Sequence, residues 1–143
     1  DTQNPDQFAP DTHTEARLPF PIVGIGASAG GFAALAALLQ NLPASPGIAV
    51  VVVLHLPVDQ QSNADRVLQG STRLPVVTVN HETPILPDQV YVIPPARSLR
   101  MQDSRLVLQE LDYTPGNPAT IDAFFRTLAT AHREKAIGVV LSG

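Results

Sequence analysis

Ile48-Ala49-Val50-Val51-Val52-Val53-Leu54 is an unbroken run of seven apolar residues, rich in β-branched side chains and without polar alternation. A strand with one wet face alternates in polarity. A continuous run belongs to a strand buried on both faces, as in a parallel sheet covered by helices. The run is far shorter than the roughly 20 residues that a membrane-crossing helix needs, and no basic-then-apolar signal segment opens the chain. No membrane insertion is expected.

The rest of the chain fits an α/β reading. Ile22-Val23-Gly24-Ile25 is a short strand, and Leu35, Leu38, Leu39 and Leu42 then fall on one face of an amphipathic helix closed by Pro43. A second helix is expected over 62–69 and a strand over 75–79. Between 85 and 111 the pattern changes to short strands. Val90-Tyr91-Val92-Ile93 ends at Pro94-Pro95, and residues 99–101 and 106–108 flank a turn, as in an antiparallel hairpin. Ile121, Phe124, Phe125 and Leu128 mark a last helix with Thr120 as N-cap, followed by a buried strand over 136–141. The expected fold is an open, doubly wound, mostly parallel α/β sheet with an antiparallel hairpin insert.

Residues 1–18 are polar and proline-containing and read as a flexible tail or linker, leaving 19–143 as the folded domain. The chain opens at Asp1 without a methionine, and its last strand stops two residues before the end, so a fragment is expected. With 44% hydrophobic and 15% charged residues the domain is globular. A net charge of −4 without a basic stripe excludes nucleic acid as a partner. The absence of cysteine removes disulfides, thiolate zinc sites and a cysteine nucleophile, and fits a reducing cytoplasm.

Two residues carry chemistry. Gly26-Ala27-Ser28-Ala29-Gly30 is a Gly-x-Ser-x-Gly turn directly after the first strand, and His55 ends the second. Such a turn pushes a hydroxyl into solvent above a sheet, its glycines tolerating unusual backbone angles and sparing space for a carbonyl. If the strands are parallel neighbours, Ser28 and His55 emerge at the same carboxyl edge, where open α/β sheets bind ligands. His55 then takes the Ser28 proton during attack. Backbone N–H groups of Ala29 and Gly30, at the start of the following helix, stabilise the oxyanion.

Each residue also has a plainer role. Ser28 is a good helix cap, and a strand-end histidine often only bonds a carbonyl. Gly24-Ile25-Gly26-Ala27-Ser28-Ala29 also fits a relaxed dinucleotide fingerprint, but His55 stands where an acidic ribose ligand belongs, which argues against NAD while leaving another anion open. An α/β-hydrolase elbow fits less well, because that fold places its serine later and its histidine last. His55 and Asp59 are spaced for a metal, but Pro57 spoils the helix between them. His81 and His132 read as solvated surface residues, and His13 lies in the tail.

The motif order resembles the CheB-type protein-glutamate methylesterases. Pro21-Ile22-Val23-Gly24-Ile25-Gly26-Ala27-Ser28-Ala29-Gly30-Gly31 looks like their signature, and Val53-Leu54-His55-Leu56-Pro57 is similar to their second motif. Residues 87–95, 121–125 and 136–143 match further segments. The resemblance implies a three-layer, Rossmann-like methylesterase fold, Ser28 as nucleophile, His55 as general base and no cofactor. It also implies cytoplasmic chemotaxis signalling or a related phosphorelay, with methylated chemoreceptor helices as substrate and glutamine deamidation by the same route.

The family's orienting aspartate follows a strand ending Leu-Ser/Thr-Gly, beyond Gly143, so the fragment is expected to be weakly active or inactive. Ala29 departs from the hydroxyl residue common after the serine. The overall style is closest to multidomain proteins that fuse the esterase to methyltransferase and sensor-kinase modules. A truncated sheet edge is expected to favour a dimer. The competing classes are a non-catalytic docking or regulatory module and an anion- or nucleotide-binding domain.

Overall fold

The computed structural model describes residues 18–55, 63–111 and 120–142. The expected tail up to residue 17, the segment around Pro57 and Asp59, and the 115–118 loop lie outside the described residues. In chain order the elements are β1 (Ile22–Ser28), a 3-10 turn (Ala29–Gly31), α1 (Phe32–Gln40), β2 (Ala49–His55), α2 (Ala64–Gln69) and β3 (Val76–Thr78). They continue with β4 (Thr83–Pro84), β5 (Gln89–Val92), β6 (Arg97–Gln102), β7 (Arg105–Glu110), α3 (Thr120–His132), a second 3-10 turn (Arg133–Lys135) and β8 (Ala136–Leu141).

Five strands form a parallel sheet in the order β3-β5-β2-β1-β8, and β4-β7-β6 form a separate antiparallel sheet. The apolar run of β2 sits at the centre, and all six residues before His55 are buried. Each fully buried valine there contributes roughly 1.5–3 kcal/mol relative to exposure. The strand order reverses at β1, with β2 on one side and β8 on the other. With the right-handed crossovers that parallel strands adopt, these two directions put α1 and α3 on opposite faces. The doubly wound reading holds.

The face of β1 under α3 is bare. A Cβ on Gly24 would stand 3.1 Å from both Leu128 and Phe125, and one on Gly26 would stand 2.5 Å from Ile121 Cγ2. Two glycines at period-two spacing therefore let α3 settle directly onto the strand backbone. Met101 N–H on β6 donates to Thr127 Oγ1 (2.9 Å), which fixes the hairpin along the flank of α3.

Some expectations need correction. Helix α1 stops at Gln40 rather than running to Leu42 and Pro43: Asn41 N–H and Leu42 N–H make tight bonds to Leu38 and Leu39 carbonyls (3.2 Å each), and Asn41 Nδ2 donates to Ala37 O. Leu42 still packs against the core from this last turn. His132 is not solvated but fully buried, at 0% exposure, because the start of the described chain and the hairpin tip close over the end of α3. His81 is exposed, as expected. On the edge strand β8, Ile137 and Val140 are exposed. Among the described residues no helix is long and apolar enough to cross a membrane.

Candidate active site

The site begins with strand register. β1 and β2 pair in parallel from Ile22↔Ala49 to Ser28↔His55, so these last two residues are partners at the carboxyl edge. Register partners on neighbouring strands project to the same face, at a strand spacing of roughly 4.8 Å. Ser28 shares its face with Gly24 and Gly26, hence with α3. The serine is half-buried and the histidine exposed, so both are open to a ligand from the sheet edge.

Ser28 occupies the N-cap position of the 3-10 turn, yet its side chain makes no capping hydrogen bond, and Gly31 before α1 has no side chain to cap with. The capping role open in the sequence is therefore not the one the hydroxyl performs. Leading N–H groups of a helix lack intrahelical partners. Here the stretch that carries them includes Ala29 and Gly30, both exposed, next to Ser28. Such an arrangement stabilises a developing negative charge on an oxygen. Among the described residues no hydrogen bond joins the Ser28 hydroxyl to the His55 ring. Catalytic hydrogen bonds are often loose without substrate.

The elbow is not strained in the way its glycines suggested. Ser28 has φ −90° and ψ 179°, ordinary extended backbone, and among the described residues Gly47 is the only glycine with positive φ. The glycines serve close approach instead. A Cβ on Gly31 would lie 2.3 Å from the Leu141 carbonyl oxygen, so the turn after Ser28 is pressed against the end of β8. This also separates the site from the α/β-hydrolase elbow, whose serine sits on a strained turn.

Two features of the rim were not read from the sequence. The N-terminal turn of α3 lies on the Ser28 face, with Ile121 against Gly26. The signal was present in the Gly-x-Gly spacing, but nothing in it said which element fills the gap. The second is the turn leaving β5. Ile93 N–H donates to Val52 O (3.1 Å), just past the last paired residues, Val52 and Val92. Ala96 then takes φ 60° to swing the chain into β6. An alanine in this region costs roughly 1–2 kcal/mol, and no sequence rule points to it. Among the described residues no group of three or more His, Asp or Glu side chains is arranged to hold a metal.

Residues 23–143 match the model of the CheB methylesterase family. A protein-glutamate methylesterase/protein-glutamine glutaminase of Pseudomonas aeruginosa is 35% identical over 127 residues, covering 85% of this chain and 37% of that protein. One of Burkholderia lata is 37% identical over 125 residues, covering 85% and 36% respectively. The CheB methylesterase catalytic domain of Thermotoga maritima superposes with a TM-score of 0.76 at 26% identity, covering 88% of this chain and 69% of that one. The chain thus spans little more than a third of the length of these two curated relatives.

Proposed function

Since the chain belongs to the CheB methylesterase family, we propose that it carries the nucleophile and base of a serine hydrolase acting on glutamyl γ-methyl esters. The observation that supports this most is the Ser28↔His55 pairing at the carboxyl edge of the sheet. Ser28 Oγ attacks the ester carbonyl carbon while His55 accepts the hydroxyl proton. The oxyanion is held by the N–H groups of Ala29 and Gly30. The bond to the methoxy oxygen then breaks, and His55 returns the proton, releasing methanol. Water, deprotonated by His55, resolves the acyl-enzyme to a glutamate and restores the serine. A glutamine side chain follows the same route with ammonia as leaving group. No cofactor enters these steps.

The substrate on this reading is a methylated helix of a chemoreceptor or related sensor, met in the cytoplasm, and the chain works among further domains of a longer signalling protein. Exposed Ile137 and Val140 on β8 support self-association through that edge. Methanol release from receptor methylated with a labelled methyl group tests the reaction. The expected result is release by a longer protein that carries this domain together with the family's orienting aspartate, and none by its Ser28→Ala variant, with both equally folded by circular dichroism. Equal release by the variant removes Ser28 from the mechanism. Specific receptor binding without release from that longer protein favours the docking-module reading instead.

A further inference from the structure

β3 is the last strand of the parallel sheet on the side away from β8. One of its edges pairs with β5, and the other has no partner strand. Val90 N–H donates to Pro75 O (2.9 Å) and Val79 N–H to Val92 O (3.0 Å), so residues 75, 77 and 79 turn their backbone groups towards β5. The alternate residues 74, 76 and 78 turn theirs outward. An edge of half-buried Val76, Val77 and Thr78 is a template for a further strand. Pro75 gives no protection there, because the nitrogen that lacks a hydrogen faces β5.

The outer edge is met instead by side chains of α2. Gln69 Nε2 donates to Leu74 O (2.9 Å) and stands 3.4 Å from Thr72 O, while Gln69 Oε1 accepts from Val76 N–H (2.9 Å). In a parallel pair, one residue of the neighbouring strand donates to the residue before its partner and accepts from the residue after it. With Pro75 as that partner, the Gln69 carboxamide makes the same two bonds. One helical turn earlier, Asp65 Oδ2 accepts from Thr78 Oγ1 (2.8 Å).

We propose that Gln69 is a plug: its carboxamide fills the place of a sixth strand's peptide group and keeps the β3 edge from pairing with a second copy of this chain. The chemistry needs this residue type. Glutamate has no donor for Leu74 O, and lysine has no acceptor for Val76 N–H. The next place along the edge, between Val76 O and Thr78 N–H, is bridged by no hydrogen bond among the described residues. Removing Gln69 therefore opens two consecutive places, where a second strand can begin a ladder. β5 and β2 stand between β3 and the strand that carries Ser28, so the plug acts on association and not on ester hydrolysis.

Nitrogen-15 NMR and sedimentation of the whole chain test it. In the wild type a scalar coupling across the hydrogen bond should join Gln69 Nε2 to the Leu74 carbonyl carbon, and the Val76 amide should be protected from exchange. Alanine is the best helix former, so Gln69→Ala should fold and, when dilute, exchange its Val76 amide at least tenfold faster. On concentration it should associate at least tenfold more tightly than the wild type, with the Val76 and Thr78 amides gaining protection. Adding Thr78→Pro, which removes an outward N–H, should cancel that gain. Self-association through β8 is common to all three proteins and leaves the comparison intact. Absence of the coupling, association of Gln69→Ala no tighter than the wild type, or a gain that survives Thr78→Pro each overturns the plug. If the alanine variant fails to fold, Gln69→Leu, close to glutamine in size, decides the matter by the same measurements.

Discussion

Ser28 and His55 end neighbouring parallel strands as direct register partners, leaving the sheet on the face that α3 covers. Their meeting depends on the β1–β2 register. A slip of one residue would send one of the two side chains to the opposite face.

His55→Ala should lower methyl ester hydrolysis by about a hundred- to ten-thousandfold, the usual contribution of a positioned base. The side chain is exposed, so thermal stability should stay within about 0.5 kcal/mol of the parent. Parallel rate measurements and melts check this. An unchanged rate removes His55 from the reaction.

Gly26→Ala places a methyl group 2.5 Å from Ile121 Cγ2, in a strand flanked on both sides and unable to shift. A loss of about 1–3 kcal/mol is expected in denaturant unfolding. Repeating the substitution in an Ile121→Ala background should recover most of that loss, a coupling that a double-mutant cycle measures directly.

Gly31→Ala meets backbone rather than side chain, at 2.3 Å from the Leu141 carbonyl oxygen. Backbone cannot rotate away, so the cost should reach the upper end, about 3 kcal/mol, and ester hydrolysis should fall with the displaced turn. Gly70→Ala is the contrast. Gly70 has helical angles (φ −70°, ψ −13°), and a Cβ there would stand an ordinary 3.4 Å from the Val67 carbonyl oxygen. That change should stabilise by about 0.4–1 kcal/mol. Urea titrations of the two variants should move in opposite directions.

Tyr91 is buried, and its hydroxyl accepts from Leu86 N–H (2.8 Å). Burial raises the phenol's pKa above its ordinary value, more than the Leu86 bond lowers it. The unfolded chain therefore releases this proton first, near pH 10. Stability from Tyr91 is complete below that pH and lost as pH rises through the raised folded value. Melting temperatures from pH 8 to 11 should fall more steeply for the wild type than for Tyr91→Phe. The variant should also lose about 1 kcal/mol at neutral pH, where the Leu86 donor loses its partner.

Much of the architecture was legible in local pattern. The unbroken β2 run required burial on both faces, and the Phe124 and Leu128 spacing marked the inward stripe of α3. The turn through Gln102-Asp103-Ser104-Arg105 closes β6 on β7 as its composition suggested. The misreadings share a cause. His132 looked solvated because polarity near a helix end usually means water, and its burial depends on remote segments that fold over it. Glycine 26 looked like a provider of unusual angles, because a sequence does not show what approaches it.

From the chain alone came the parallel α/β class, the strand ends bearing a hydroxyl and an imidazole, and the motifs that mark the family. These depend on periodicity and on residues adjacent in sequence. Tertiary structure alone decided the strand register that pairs Ser28 with His55, the contact of Gly31 with Leu141, and the burial of His132 between Leu18 and Asp103. Each of these joins residues far apart along the chain, and such contacts form only when the packing of the whole sheet holds the distant segments in place.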